Sequence, residues 1–148
     1  MTFIDLFAGI GGFHVALHEL GFKCVYASEW DKLARKTYLE NFKEVNSELF
    51  ESGLFRGDIT KEENQSCIPG NADILCAGFP CQPFSQAGLR KGFNEARGTL
   101  FFEIAKIIKE KRPKVIFLEN VRYLLHHGNG KTLSTILLTF ISVIPPIY

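Results

Sequence analysis

Thr2 to Phe7 is a short, mostly apolar run that predicts a buried strand, and Ala8-Gly9-Ile10-Gly11-Gly12 follows as a glycine turn. Phe13, Ala16, Leu17 and Leu20 then recur at i, i+3, i+4 and i+7, the stripe of an amphipathic helix that Gly21 stops. Cys24 to Ser28 predicts a second strand, followed by Glu29-Trp30-Asp31 and a polar-faced helix from about Lys32 to Asn41. Residues 42–71 mix turn formers with charges, and beyond placing Gly57-Asp58-Ile59 after a short strand or turn their structure stays open. Asp73 to Gly78 is again strand-like. Phe79 to Gly98, with Pro80, Pro83, Gly88, Gly92 and Gly98, reads as a long loop of the kind that carries function. From Thr99 a helix places Leu100, Ile104, Ile107 and Ile108 on one face until Arg112-Pro113 ends it, and Val115 to Leu118 is a buried strand leading to Glu119-Asn120. A last helix, Leu133 to Ile144, lacks a clear polar face. Strands alternating with helices predict an α/β fold, a parallel sheet with helices on both faces.

The 148 residues suit one domain, and 46% hydrophobic with 22% charged residues excludes disorder, collagen-like repeats and coiled coils. A formal charge of +1 gives no bulk signature of a polyanion binder, so any such partner must be argued from individual residues. The start, MTFIDLFAG, lacks a basic segment followed by an apolar stretch, which predicts a cytoplasmic, reducing setting where Cys24, Cys67, Cys76 and Cys81 remain thiols. These cysteines form no C-x-x-C pair and have no histidine at ligand spacing, so no metal site is expected. The uncharged run Thr132 to Tyr148 holds Ser134, Thr135, Thr139, Ser142 and Pro145-Pro146, which suits a membrane span poorly.

In open α/β sheets, ligands bind beyond the carboxyl ends of the strands. Those positions carry the glycine turn, Glu29-Trp30, Pro80-Cys81 and Glu119-Asn120, which would share one rim. Glycines allow close backbone approach, and the helix start behind them favours an anionic group. The turn departs from a dinucleotide fingerprint, because after Gly9 and Gly11 the third glycine position is His14. Glu29 sits where an acidic side chain can accept from ribose hydroxyls. Trp30, the only tryptophan, offers a stacking face for adenine or serves as a core or rim aromatic, and Asp58 contacts the same adenosine or caps a turn. Cys81, between Pro80 and Pro83, is either positioned and exposed or a small buried hydrophobe. Glu119 closes the apolar stretch KVIFLE, where burial would raise its pKa and fit it for general-acid work; the alternative is a solvated strand-end carboxylate. His14, His18, His126 and His127 are assigned no chemistry.

Taken in order, DLFAGIGGF (5–13), Glu29-Trp30-Asp31, Gly57-Asp58-Ile59, GFPCQPFS (78–85), Arg97-Gly98-Thr99-Leu100 and Glu119-Asn120-Val121 resemble motifs of the cytosine-5 DNA methyltransferases, with the look of the bacterial restriction-modification enzymes. The resemblance implies a Rossmann-like fold of the S-adenosylmethionine-dependent methyltransferase type, truncated at the carboxyl end. It implies that Phe7, Ala8, Gly9, Gly11, Gly12, Glu29, Trp30, Asp58, Ile59, Gly78, Pro80 and Leu100 bind S-adenosylmethionine. It further implies that the Cys81 thiolate attacks carbon 6 of a flipped-out cytosine, that Glu119 protonates ring N3 and that Asn120 orients the site. Gln82, Ser85, Arg90, Lys91 and Arg97 would contact double-stranded DNA.

The family pattern continues with a Gln-Arg motif, a target-recognition region and a final cofactor motif, none of which occurs in residues 1–148. The expectation is therefore an incomplete catalytic and cofactor-binding domain with weak or no methyl transfer alone, with a second chain carrying the missing motifs as the alternative. An NAD-dependent oxidoreductase shares the strand-glycine-helix opening but leaves Cys81 and Glu119 unexplained.

Overall fold

A computed structural model of the chain describes residues 1–80 and 98–144. Its strands are β1 (Thr2–Leu6), β2 (Lys23–Ser28), β3 (Phe55–Arg56), β4 (Ile74–Gly78) and β5 (Val115–Glu119). The helices are α1 (Gly12–Glu19), α2 (Lys32–Phe42), α3 (Ser47–Glu51), α4 (Glu62–Ser66), α5 (Gly98–Lys111) and α6 (Lys131–Val143). All strand pairs are parallel, in the order β3-β2-β1-β4-β5, so the chain builds outward from β1 to one side and then crosses to the other. That reversal opens a crevice between the carboxyl ends of β1 and β4. The order matches the Rossmann-like α/β reading.

Alternation along β1 divides the core. Ile4 and Leu6 join Tyr26, Leu75 and Ala77 on one face, under Ile104, Ile107 and Ile108 of α5 and Ile136 and Phe140 of α6. On the other face Phe3 meets Cys24, Ala27, Tyr38 and Phe42 of α2 and Leu49 of α3. The α5 stripe read from the sequence is the buried one, and each such Ile or Leu side chain contributes ~1.5–3 kcal/mol on burial. The Asp31 carboxylate starts α2 by accepting from the amides of Leu33 and Ala34, at 3.0 and 2.8 Å. At the opposite end of the sheet, the Asp73 carboxylate accepts from the Thr2 amide and the Lys114 ammonium and ties the start of β1 to β4 and β5.

The helix stripe expected for residues 13–20 is not the buried face of α1. Ala16 and Leu20 are exposed, Phe13 and Leu17 are half-buried, and the fully buried residue is His14. His14 is accommodated because its Nδ1 lies 2.6 Å from the Tyr38 hydroxyl and its ring stacks on Phe42 at 3.9 Å between centroids. Burial pushes its pKa down to about 4, with nearby His18 adding to the effect. The last strand also departs from expectation. β5 alternates, with Ile116 and Leu118 against the α5 face and Val115 and Phe117 more than half exposed on the other, where Phe13 meets the Phe117 ring edge-on. With β4 on one side, β5 has no strand on its other side among the described residues. The apolar character foreseen for the last helix persists in α6, whose Leu137, Leu138 and Ile141 are exposed.

Candidate functional site

The turn after β1 holds an unusual backbone. Phe7 has φ +56°, Gly9 +56° and Gly11 +103°. For the aromatic Phe7 this left-handed conformation costs ~1–2 kcal/mol, and the neighbouring sheet ends hold it. The Ala8 amide donates to the Ser28 carbonyl at 2.9 Å, and the Gly11 amide to the Ala8 carbonyl at 2.9 Å. Gly11 is required by space as well as by φ, since a Cβ there would lie 2.1 Å from a ring carbon of Phe42. The glycine turn is thus pressed onto α2 while its upper surface faces the crevice.

Glu29 links the same turn to the next element. Only 9% exposed, it accepts from the Gly9 amide through one carboxylate oxygen and from the Asp31 amide through the other, both at 2.8 Å. Two backbone donors suit a carboxylate, and each oxygen retains a lone pair for a ligand hydroxyl. Behind it lies Asp5, wholly buried, with neither carboxylate oxygen hydrogen-bonded among the described residues. Burial first, and the charge of Glu29 second, push the Asp5 carboxyl up to about 8.

Phe7, Ser28, Glu29, Trp30, Gly57, Asp58, Ile59, Gly78, Pro80 and Leu100 line one cleft of about 240 Å³ at the carboxyl edge of the sheet. Eight of the expected cofactor residues therefore meet there, while Ala8, Gly9, Gly11 and Gly12 form the turn beside it. Trp30 stands on the rim, 64% exposed. Asp58 turns its own backbone, accepting from the Thr60 amide at 2.9 Å and the Thr60 hydroxyl at 2.8 Å. Two lining residues escaped the site assignment made from sequence. Ser28 is the last residue of β2, a position visible in the strand pattern, and Gly57 stands in a quoted motif but was not assigned a role.

Glu119 ends β5 exposed to solvent, so of the two readings open for it the solvated strand-end carboxylate is the one found; it lies at the edge of the sheet, on the exposed face of the strand. It still approaches the cleft, since a Cβ on Gly78 would lie 3.3 Å from its Oε2. The Asn120 side-chain amide donates to the Phe79 carbonyl at 2.8 Å, and its oxygen accepts from the Val121 amide at 2.9 Å. Asn120 thereby fixes the chain leaving β4 just before residue 81. Cys81, Gln82, Ser85, Arg90, Lys91 and Arg97 lie outside the described residues.

The C-5 cytosine-specific DNA methylase family model matches residues 1–143. The chain belongs to that family. Among its relatives, the Type II methyltransferase M.HpaII of Haemophilus parainfluenzae is 57% identical over 136 residues, which cover 92% of this chain and 36% of that protein. M.HhaI of Haemophilus parahaemolyticus is 52% identical over 136 residues, 92% of this chain and 38% of that protein. This C-5 cytosine methylase chain thus spans little more than a third of the curated relatives it matches. The fold is shared with the S. pombe Dnmt2 methyltransferase at a TM-score of 0.64 and 21% identity, over 93% of this chain and 41% of that one. Among the described residues, no group of three or more His, Cys, Asp or Glu side chains is placed to hold a metal ion, and no helix is long and apolar enough to cross a membrane.

Proposed function

We propose that this chain forms the cofactor-binding and catalytic part of a DNA cytosine-5 methyltransferase that uses S-adenosylmethionine and acts on double-stranded DNA. The observation that supports this most strongly is the convergence of Phe7, Glu29, Trp30, Asp58, Ile59, Gly78, Pro80 and Leu100 on one cleft, with Asn120 holding the chain immediately before Cys81. The residues fit the cofactor. Glu29 presents a nearly buried carboxylate suited to ribose hydroxyls, Trp30 and Ile59 offer apolar faces for adenine, and the left-handed glycine turn ahead of α1 suits the methionine carboxylate. When bound, S-adenosylmethionine supplies an electrophilic methyl group.

In this reading the Cys81 thiolate adds to carbon 6 of an extruded cytosine, a base whose faces the duplex otherwise hides. Glu119 donates a hydrogen bond or proton to ring N3, so electron density moves to carbon 5. That carbon takes the methyl group. The carbon 5 proton then leaves to a base, the thiolate departs from carbon 6 and the N3 proton returns to Glu119, which restores the aromatic ring and the free enzyme. Asn120 holds the Phe79 carbonyl, two residues ahead of Cys81 in the chain, and Gln82, Ser85, Arg90, Lys91 and Arg97 contact the DNA.

A fluorescence titration of Trp30 tests the cofactor assignment directly, because no other tryptophan contributes signal. Saturable change with S-adenosylmethionine, absent with NAD or ATP and lost in Glu29→Ala, is expected. A response to NAD instead would discard the methyltransferase reading of the cleft.

A further inference from the structure

Arg35 belongs to none of the motifs above, yet its guanidinium joins the two walls of the cleft. It projects from the first turns of α2, where the helix dipole disfavours a cation and the Asp31 carboxylate caps the helix start. Its Nη1 donates to the Glu29 carbonyl at 2.9 Å and also to the Arg56 carbonyl, while Nη2 donates to the Phe55 carbonyl at 3.2 Å. The guanidinium carbon stands 4.3 Å from the centroid of the Phe55 ring. One planar group therefore grips the carboxyl ends of two adjacent strands.

The grip matters because β3 is a weak element. It is two residues long and pairs only Ala27 with Phe55 and Ser28 with Arg56. The backbone adds two bonds across this junction, from the Ala27 amide to the Leu54 carbonyl and from the Glu29 amide to the Arg56 carbonyl, each 3.1 Å. Immediately beyond lie Gly57, Asp58 and Ile59, one wall of the cleft, while Glu29 and Trp30 form the facing wall. A strand this short does not fix the separation of the two walls, whereas three charge-assisted bonds from a fork of fixed geometry do.

We propose that Arg35 is a positioning residue that sets the width of the adenosine end of the cleft by clamping the carbonyls of Glu29, Phe55 and Arg56. The proposal rests on the reading of the cleft as the S-adenosylmethionine site. Lysine at position 35 would bring one nitrogen where two are used, so it should restore the clamp in part, and glutamine, neutral and shorter, should restore less.

The test combines S-adenosylhomocysteine titrations of the 148-residue chain with hydrogen–deuterium exchange, for wild type, R35K, R35Q and R35A. The expected result is affinity about tenfold weaker in R35A, equivalent to ~1.4 kcal/mol, with R35K intermediate. Exchange should accelerate over residues 54–60 and remain unchanged over β4. Wild-type affinity and wild-type exchange in R35A would overturn the proposal, and so would acceleration spread through β1 and β4, which marks a general support of the fold. If R35A does not fold, R35K and R35Q decide by the same two readouts. Failure of the wild type to bind S-adenosylhomocysteine would sink the cofactor reading alone, and the exchange pattern of R35A over residues 54–60 would then decide whether the clamp holds.

Discussion

Replacing Asp5 by asparagine should flatten the pH dependence of stability in a defined direction. The Asp5 carboxyl is wholly buried on β1 with neither oxygen paired among the described residues, and burial, reinforced by Glu29, raises its pKa from 3.8 to about 8. In the unfolded chain it ionises near 3.8, while in the folded chain it keeps its proton until about 8. The stabilisation is therefore complete below the unfolded value and is lost progressively as pH rises toward the folded one, by ~1.4 kcal/mol per unit. Between pH 5 and pH 7 the wild type should lose about 2.7 kcal/mol relative to Asp5→Asn, a large fraction of a typical domain's stability. Asparagine adds amide donors without partners, which shifts its whole curve by ~1–3 kcal/mol and leaves the slope difference intact. Urea unfolding of both proteins at half-unit steps measures that difference, in which all titrations common to the two proteins cancel. A stability difference independent of pH would refute the reasoning, for it would mean that Asp5 is ionised in the folded chain.

Three other substitutions probe neighbouring parts of the same framework. His14→Phe should show the opposite slope: the His14 pKa is lowered to about 4, so wild-type stability falls as pH drops from about 6.5 toward 4, and calorimetric melting across that window should show the variant declining less steeply. Gly9→Ala and Gly11→Ala form a matched pair, since both sites have positive φ but only at Gly11 does the new Cβ strike Phe42; Gly9→Ala should cost ~1 kcal/mol and Gly11→Ala clearly more, by thermal melting, and equal costs would refute the role of the clash. Asn120→Ala removes the donor to the Phe79 carbonyl, so a loss of ~1 kcal/mol and faster exchange of the Phe79 amide are expected, and unchanged exchange there would show that Asn120 does not restrain that segment.

The strand-turn-helix order, the parallel sheet and the residues at the strand ends were legible in the sequence because each depends on local pattern. Apolar runs mark the strands, and glycines mark turns that need left-handed φ. The Leu100, Ile104, Ile107 and Ile108 stripe follows the helical period and is buried as that period requires. Distances between strand ends could not be read in the same way. That Glu29 accepts from the Gly9 amide, and that Arg35 grips carbonyls on β2 and β3, depends on strand order, which brings together residues about 20 positions apart. The sequence also misjudged which face is buried wherever layer packing overrode periodicity. His14 is interior because Tyr38 supplies a hydrogen-bond partner and Phe42 a stacking face from α2, a neighbour that the pattern within α1 does not reveal. Val115 and Phe117 read as part of a buried strand, and the sheet order instead puts β5 next to a single strand, with one face exposed among the described residues. Residue identity therefore determined the elements and the chemistry carried at their ends, while tertiary packing decided which polar groups are buried, and burial sets the shifted pKa values of Asp5 and His14.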